Sequence, residues 1–273
     1  MARLNTNVDF GFRIGLICPM LPASDMSDRT RLRVMTYNVH GCVGTDRRLD
    51  PGRIAAVIAH YAPDIVAVQE LDAGRARSGR VDQAHLLAQA LAMQFHFHPA
   101  IQVKEEQYGD AILSRHPLRL MHAAVLPTVR AVRQLPRRGA LWAAAKYPGG
   151  SIQVINTHLG LNGRERLAQV SALFGSDWSR HPACHAPLIV CGDFNAVPGS
   201  QTYRALLRRL REVRRCVPSR RRLRTFSTRY PMLRLDHIFI SDDIFVRHVE
   251  VPRTRLTRLA SDHFPLIADL EVG

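Results

Sequence analysis

The 273-residue chain is short of cysteine, lysine and long apolar runs, and each shortage narrows what it can be. Its five cysteines (Cys18, Cys42, Cys184, Cys191, Cys216) are odd in number and scattered, with no CxxC pair and no Cys/His ligand spacing. That excludes a disulfide framework and a zinc finger, and it fits a reducing, cytoplasmic compartment. The nearest approach to a membrane span, Phe10 to Leu21, is broken by Arg13 and Pro19, followed by Pro22, and is too short to cross a bilayer. Glycine-rich phosphate loops of the GxGxxG or GxxxxGK kind are missing, so no nucleotide cradle at a helix N-terminus is indicated.

What the chain does have is 46% hydrophobic residues, enough for a large core, and a formal charge of +15. Lys104 and Lys146 are the only lysines, and ten arginines lie between Arg204 and Arg224 against the single acid Glu212. The plain reading is a solvated basic face. The sharper one is a clamp for phosphates of nucleic acid or for an anionic membrane surface. No aromatic residue interleaves the run, which weighs against stacking on single strands.

Periodicity predicts alternating strands and helices. Leu32 to Asn38 reads as a strand, and Ile54, Val57, Ile58 and Tyr61 give the next segment one apolar helical face. Ile65 to Val68 is a strand ending in Gln69 and Glu70, and Val81 to Met93 is helical. Strands follow at Ala111 to Leu113, Leu118 to Val125, Leu141 to Lys146 and Ser151 to Asn156. A third helix capped by Asn162 is expected to run through Trp178. The last third holds a strand from Leu188 to Cys191, a helix near Gln201 to Leu210, and strands near Leu235 to Ile240, Phe245 to Val251 and Leu266 to Val272. Consecutive strands with peripheral helices argue for two sheets packed face to face rather than one doubly wound sheet.

Polar groups recur where these strands end: Asn38, Glu70, His158, Asp193 with Asn195, and Asp236 with Asp262 and His263. Taken singly, each has an ordinary explanation, such as a turn residue, a solvated acid or an Asx-turn. Their repetition in one positional pattern predicts convergence. Four carboxylates sharing a small volume would repel by a few kcal/mol per pair (order of magnitude), so the cluster should raise a carboxylate pKa or bind a cation. Oxygen donors without thiolate favour Mg2+, with Mn2+ as a substitute, over zinc.

Several segments together resemble the ordered motifs of the endonuclease/exonuclease/phosphatase superfamily: Met35 to Gly41, Val68 to Asp72, Tyr108 to Arg115, Ile155 to Gly160, Cys191 to Pro198, Leu235 to Ser241 and Ser261 to Pro265. The resemblance covers residues 31 to 272 and implies an α/β four-layer sandwich of the deoxyribonuclease I type, with two mixed sheets between helices. It implies Mg2+-dependent cleavage of phosphoesters by residues 31–273, with residues 1–30 a disordered extension that a start at Met26 would largely omit. By motif, Glu70 is the principal metal ligand, with Asn38 and Asp262 beside it. Asp193 orients or deprotonates the attacking water, Asn195 holds that carboxylate and a phosphate oxygen, and His158 and His263 contact phosphate, with Asp236 the partner of His263. Tyr108 and Asp110 are substrate-side candidates, and Asp110 is a candidate to orient His158.

Leu71-Asp72 and His158 depart from the pattern of the apurinic endonucleases, His158 resembles the histidine shared by neutral sphingomyelinases and deoxyribonucleases, and the inositol phosphatases' Trp-Cys-Asp-Arg segment is absent. The segment Thr225 to His237 is most like a bacterial group of metal-dependent hydrolases, some linked by gene neighbourhood to phospholipid metabolism. A phospholipid-derived or small phosphoester is therefore favoured, with a DNA or RNA nuclease using the Arg204 to Arg224 stretch as the alternative. Contact with an anionic membrane is an expected partner interaction, and no obligate protein partner is indicated.

Overall fold

The strand Thr30–Asn38 (β1) is apolar on both faces, with Leu32 and Val34 alternating against Met35 and Tyr37, so it must be covered on both sides. A computed structural model, which describes residues 29–129, 136–218 and 223–273, shows how. The expected disordered extension and the alternative start at Met26 lie essentially outside these residues, as do Arg220 to Arg222 of the arginine run.

Helix Pro51–Tyr61 (α1) starts where Asp50 accepts the Arg53 N–H and Pro51 presets the first turn, and it ends at Ala62 in a left-handed conformation. The chain continues through Ile65–Ala73 (β2), Gln83–Leu91 (α2), Gln94–Val103 (β3), Glu106–Ser114 (β4) and Leu118–Val125 (β5). Next come Gly139–Tyr147 (β6), Gly150–His158 (β7), Gly163–Leu173 (α3), Leu188–Asp193 (β8), Gln201–Leu207 (α4) and Arg211–Glu212 (β9). Asp236–Ile240 (β10), Phe245–Glu250 (β11), Arg255–Ala260 (α5) and Leu266–Val272 (β12) complete it.

Two six-stranded sheets form, in the orders β11-β12-β1-β2-β4-β3 and β5-β6-β7-β8-β10-β9. Their facing side chains, among them Val34, Ala67, Leu141, Val154, Ile189 and Ile238, make the inter-sheet core. Outside the first sheet, α1 and α2 bury Ile54, Val57, Ile58 and Leu87, and outside the second, α3 and α4 bury Val170, Leu173 and Leu206 with Phe194 and Phe239. This is the expected four-layer α/β sandwich. Among the described residues no helix is long and apolar enough to cross a membrane.

Each sheet carries one parallel pair, β1 with β2 and β7 with β8, and these two pairs bring Asn38 beside Gln69 and His158 beside Asp193. Strand β10 runs antiparallel to β8 in a register that sets Asp236 opposite Asp193. Strand β8 lies in the interior of its sheet, and Asp193 is its last residue. One helix end differs from expectation, since α3 stops at Leu173 and Trp178 packs from the following turn, and β3, β9 and α5 had not been expected.

Candidate active site

Glu70 had been expected to end its strand. Instead β2 continues to Ala73, and its register against β4 shifts between Val68 and Leu71. Glu70 sits in that bulge with φ 64°, a left-handed conformation costing a non-glycine residue about 1 kcal/mol. Asn195, two residues after Asp193, is likewise left-handed at φ 47°. Strain at both positions turns polar side chains toward a shared cleft.

The bulge frees backbone carbonyls, and Asn156 on β7 covers them across the inter-sheet space. Its amide donates to Val68 O (3.0 Å) and Ala111 O (2.8 Å), while its Oδ1 accepts from Gln69 Nε2 (2.8 Å). Asn156→Leu should strand these buried groups and destabilise the fold by about 2–3 kcal/mol, measured by urea denaturation.

Asn38 joins the two halves. Its Nδ2 donates to Glu70 Oε1 (2.9 Å) and Asp193 Oδ2 (3.0 Å), and its Oδ1 accepts the His40 N–H (3.0 Å). His40, on a left-handed turn after β1, places Nδ1 3.6 Å from Glu70 Oε2 and 3.8 Å from Asp262 Oδ2. Burial alone would raise the Glu70 pKa, but the hydrogen bond from His40, the His158 ring and the Asn38 amide hold it far below the usual carboxylate range. Asp262 goes the other way, raised by burial.

His263 lies between two acids. Its Nδ1 is 2.9 Å from Asp236 Oδ2 and its Nε2 is 3.7 Å from Asp193 Oδ2. Burial opposes charge on the ring, yet the facing Asp236, followed by Asp193, pushes its pKa up to about 10, so it is an imidazolium. Asp236 Oδ1 is buried without a hydrogen-bond partner.

His158 is different. Arg138, buried at the start of β6, donates from Nη1 to His158 Nδ1 at 3.0 Å. A guanidinium only donates, so the ring proton must sit on Nε2, which faces Asp193 Oδ2 at 3.6 Å. Burial, seconded by the Arg138 charge, lowers the His158 pKa to about 4, leaving the ring neutral. Of these two imidazoles, His158 can therefore donate one hydrogen bond while His263 carries the positive charge. The carboxamide of Asn195 lies 3.1 Å from Nε2 and donates to Leu159 O (2.9 Å). The Asn195 N–H is held by Asp193 Oδ1 at 2.9 Å. Burial opposes ionisation of Asp193, but the two facing imidazoles and these donors keep it below its ordinary range.

Asp110 does not orient His158, since Arg138 occupies that nitrogen; its Oδ1 accepts the Glu70 N–H at 3.3 Å, and burial pushes its pKa up to about 7. Tyr108 is on the neighbouring pair of β4, with the Arg75 and Arg77 guanidiniums 5.9 Å and 5.7 Å from its ring, and burial raises its phenol.

Sequence reasoning missed His40, Arg138, Asn156 and Arg214. Arg214 is buried, donating to Glu212 (2.6 Å), Leu223 O (3.0 Å) and Asp236 O (2.7 Å). Arg211 donates to the carbonyls of Ser241 (3.2 Å), Asp242 (2.9 Å) and Ile244 (2.5 Å). These two arginines of the basic run serve the fold, not a solvated face or an external phosphate.

The group Asp193, Asp236 and His263 has ligand atoms within 4.8 Å of one another and forms an acidic cluster of the kind that can hold a metal ion. A family model described as the endonuclease/exonuclease/phosphatase family matches residues 35–263. The YbhP protein of Escherichia coli K12 is 27% identical over 258 residues, covering 91% of this chain and 99% of YbhP. An endonuclease/exonuclease/phosphatase structure from Beutenbergia cavernae superposes with TM-score 0.67 at 25% identity, covering 89% of this chain and 72% of that one. The mannosyl-6-phosphatase Bt3783 of Bacteroides thetaiotaomicron superposes with TM-score 0.70 at 22% identity over 88% and 99% of the two chains. With motif order, sandwich and family match in agreement, the chain belongs to the endonuclease/exonuclease/phosphatase family of divalent-metal-dependent hydrolases acting on phosphoester bonds.

Proposed function

We propose that the protein is a Mg2+-dependent phosphodiesterase or phosphatase acting on a phospholipid-derived or small phosphoester. The observation that carries this reading is the bridging of Glu70 and Asp193 by the Asn38 amide, at 2.9 Å and 3.0 Å, which holds the two acids proposed to bind metal and to orient water at one cleft.

The donor set fits a hard cation. Glu70 and Asp262 offer carboxylates on either side of His40, and Asn38 Oδ1 keeps a lone pair beyond the one used by His40 N–H. We place the cation with these three residues rather than between Asp193 and Asp236, where the His263 imidazolium already balances the charge. Bound there, Mg2+ would neutralise charge developing on the phosphate oxygens.

The protein's own groups do the rest. Asp193, held ionised and of lowered basicity, orients the attacking water, and Asn195 fixes its Oδ1 while offering its amide to a phosphate oxygen. His263, locked by Asp236, supplies positive charge, and neutral His158 donates Nε2–H.

The test is a substrate panel at fixed Mg2+, with a chelator control: a chromogenic phosphodiester, plasmid DNA, abasic duplex, single-stranded RNA and phospholipid or sphingolipid. Hydrolysis of lipid headgroups or small esters that disappears with chelator is expected. Activity that survives the chelator would refute the cation requirement, and nuclease activity falling steeply with salt would favour the phosphate-clamp alternative.

A further inference from the structure

Large apolar side chains are exposed together at one tight loop. Tyr230, Met232 and Leu233 are 68%, 70% and 40% exposed within four consecutive residues. They form the tip of a tight loop closed by the Leu233 N–H donating to Phe226 O at 2.8 Å and the Met232 N–H to the same oxygen at 2.9 Å.

The stem of this loop is fastened to the active site. The Thr228 N–H donates to Asp262 O (2.9 Å), its hydroxyl to Ser261 O (3.0 Å), and the Phe226 ring lies 4.7 Å from that of His263. Arginines surround it. Arg224 Nη1 is 3.4 Å from Pro231 O, Arg258 Nη1 donates to Thr228 O at 3.1 Å, and exposed Arg229 stands 5.7 Å from the Tyr230 ring. Their crowding is felt at Arg253, whose pKa is lowered by burial and then by the charges of Arg258 and Arg224.

We propose that the loop Phe226–Leu233 is a docking lip that seats the active-site cleft on an anionic lipid surface. An apolar tip ringed by guanidiniums matches the boundary between acyl chains and anionic headgroups, where aromatic, aliphatic and basic groups are each favoured. A single-stranded nucleic acid is a poorer match. It needs flat faces for stacking, and of the three exposed side chains only Tyr230 has one. Docking would present a headgroup phosphodiester to His263 and Asp262 without its leaving the bilayer. The lip's significance rests on the proposed phosphoesterase reading, but the lip itself is tested by binding alone.

The full-length chain should sediment with phosphatidylcholine vesicles containing about 30 mol% phosphatidylglycerol at least tenfold more strongly than with pure phosphatidylcholine, and about 0.5 M NaCl should weaken that preference. The double variant Tyr230→Ser, Met232→Ser should bind about tenfold more weakly, with an unchanged melting temperature because both side chains are exposed. Should that variant be unstable, Arg229→Glu provides the same comparison through charge. No preference for the anionic vesicles, or equal binding by stable variants of both kinds, overturns the proposal. So does tight binding of single-stranded DNA or RNA, abolished by Tyr230→Ser, in a protein that ignores vesicles. Vesicle binding with no phosphoester hydrolysis would leave the lip standing and the site reading refuted; soluble-diester hydrolysis with no vesicle binding would do the reverse.

Discussion

Asp193→Asn is expected to lower metal-dependent hydrolysis of a chromogenic phosphodiester by about 10³-fold, mainly in kcat. The replacement is nearly isosteric and keeps an oxygen for the Asn195 N–H, so the fold should survive. What it removes is the negative charge that faces Nε2 of His158 at 3.6 Å and of His263 at 3.7 Å. A carboxamide nitrogen in place of Oδ2 would also confront the Asn38 amide donor now 3.0 Å away, and so disturb the bridge to Glu70. His263→Ala should produce a loss of similar size by deleting the imidazolium held by Asp236. Because both groups act on the same phosphate, the double variant should fall little below either single one. Full activity in both single variants would show that the chemistry is elsewhere.

The largest effect on stability should come from Arg214→Met, about 3–5 kcal/mol by urea denaturation, because a buried charge loses its partner. Arg214 donates to Glu212 at 2.6 Å and satisfies two carbonyls, and both side chains are almost fully buried, 3% and 2% exposed. Pairing Arg214→Met with Glu212→Gln should recover part of the loss, since no isolated carboxylate is then left inside. The same interaction sets a pH dependence. Burial would raise the Glu212 pKa, but Arg214 and then His237 bring it down to about 2, below the ordinary 4.5. A lowered folded-state pKa means the unfolded chain binds the proton more readily. Stability from this pair is therefore complete above about pH 4.5 and drains away as pH falls toward 2, by up to about 3 kcal/mol. Acid titration of the melting temperature in wild type and in Glu212→Gln should show a shallower fall in the variant. Equal slopes would refute the assignment.

Much of the fold was legible because it rests on local signals. The apolar faces of α1, the Asn162 cap and the alternation in β12 depend on neighbours a few residues away, and the structure places them within a residue or two of expectation. Strand β3 carried a signal that went unread: Phe95 and Phe97 alternate with His96 and His98, period 2, but the histidines and Pro99 hid it. Helix α5 is only six residues long and has little periodicity to show.

The order of motifs along the chain was enough to predict a two-sheet sandwich, a cleft of oxygen donors and a phosphoester chemistry, since strand pattern and residue type are properties of short segments. Tertiary structure alone decided which groups carry charge there. Glu70 is aimed by a bulge that exists only because β4 pairs with β2 out of step, and His158 is neutral because the packed sheets bury it and bring Arg138 within 3.0 Å of its Nδ1. The single acid of an arginine-rich run became the buried anchor of Arg214 in the same way. Desolvation and cross-strand register are set by partners far apart in sequence, so no local pattern can encode them.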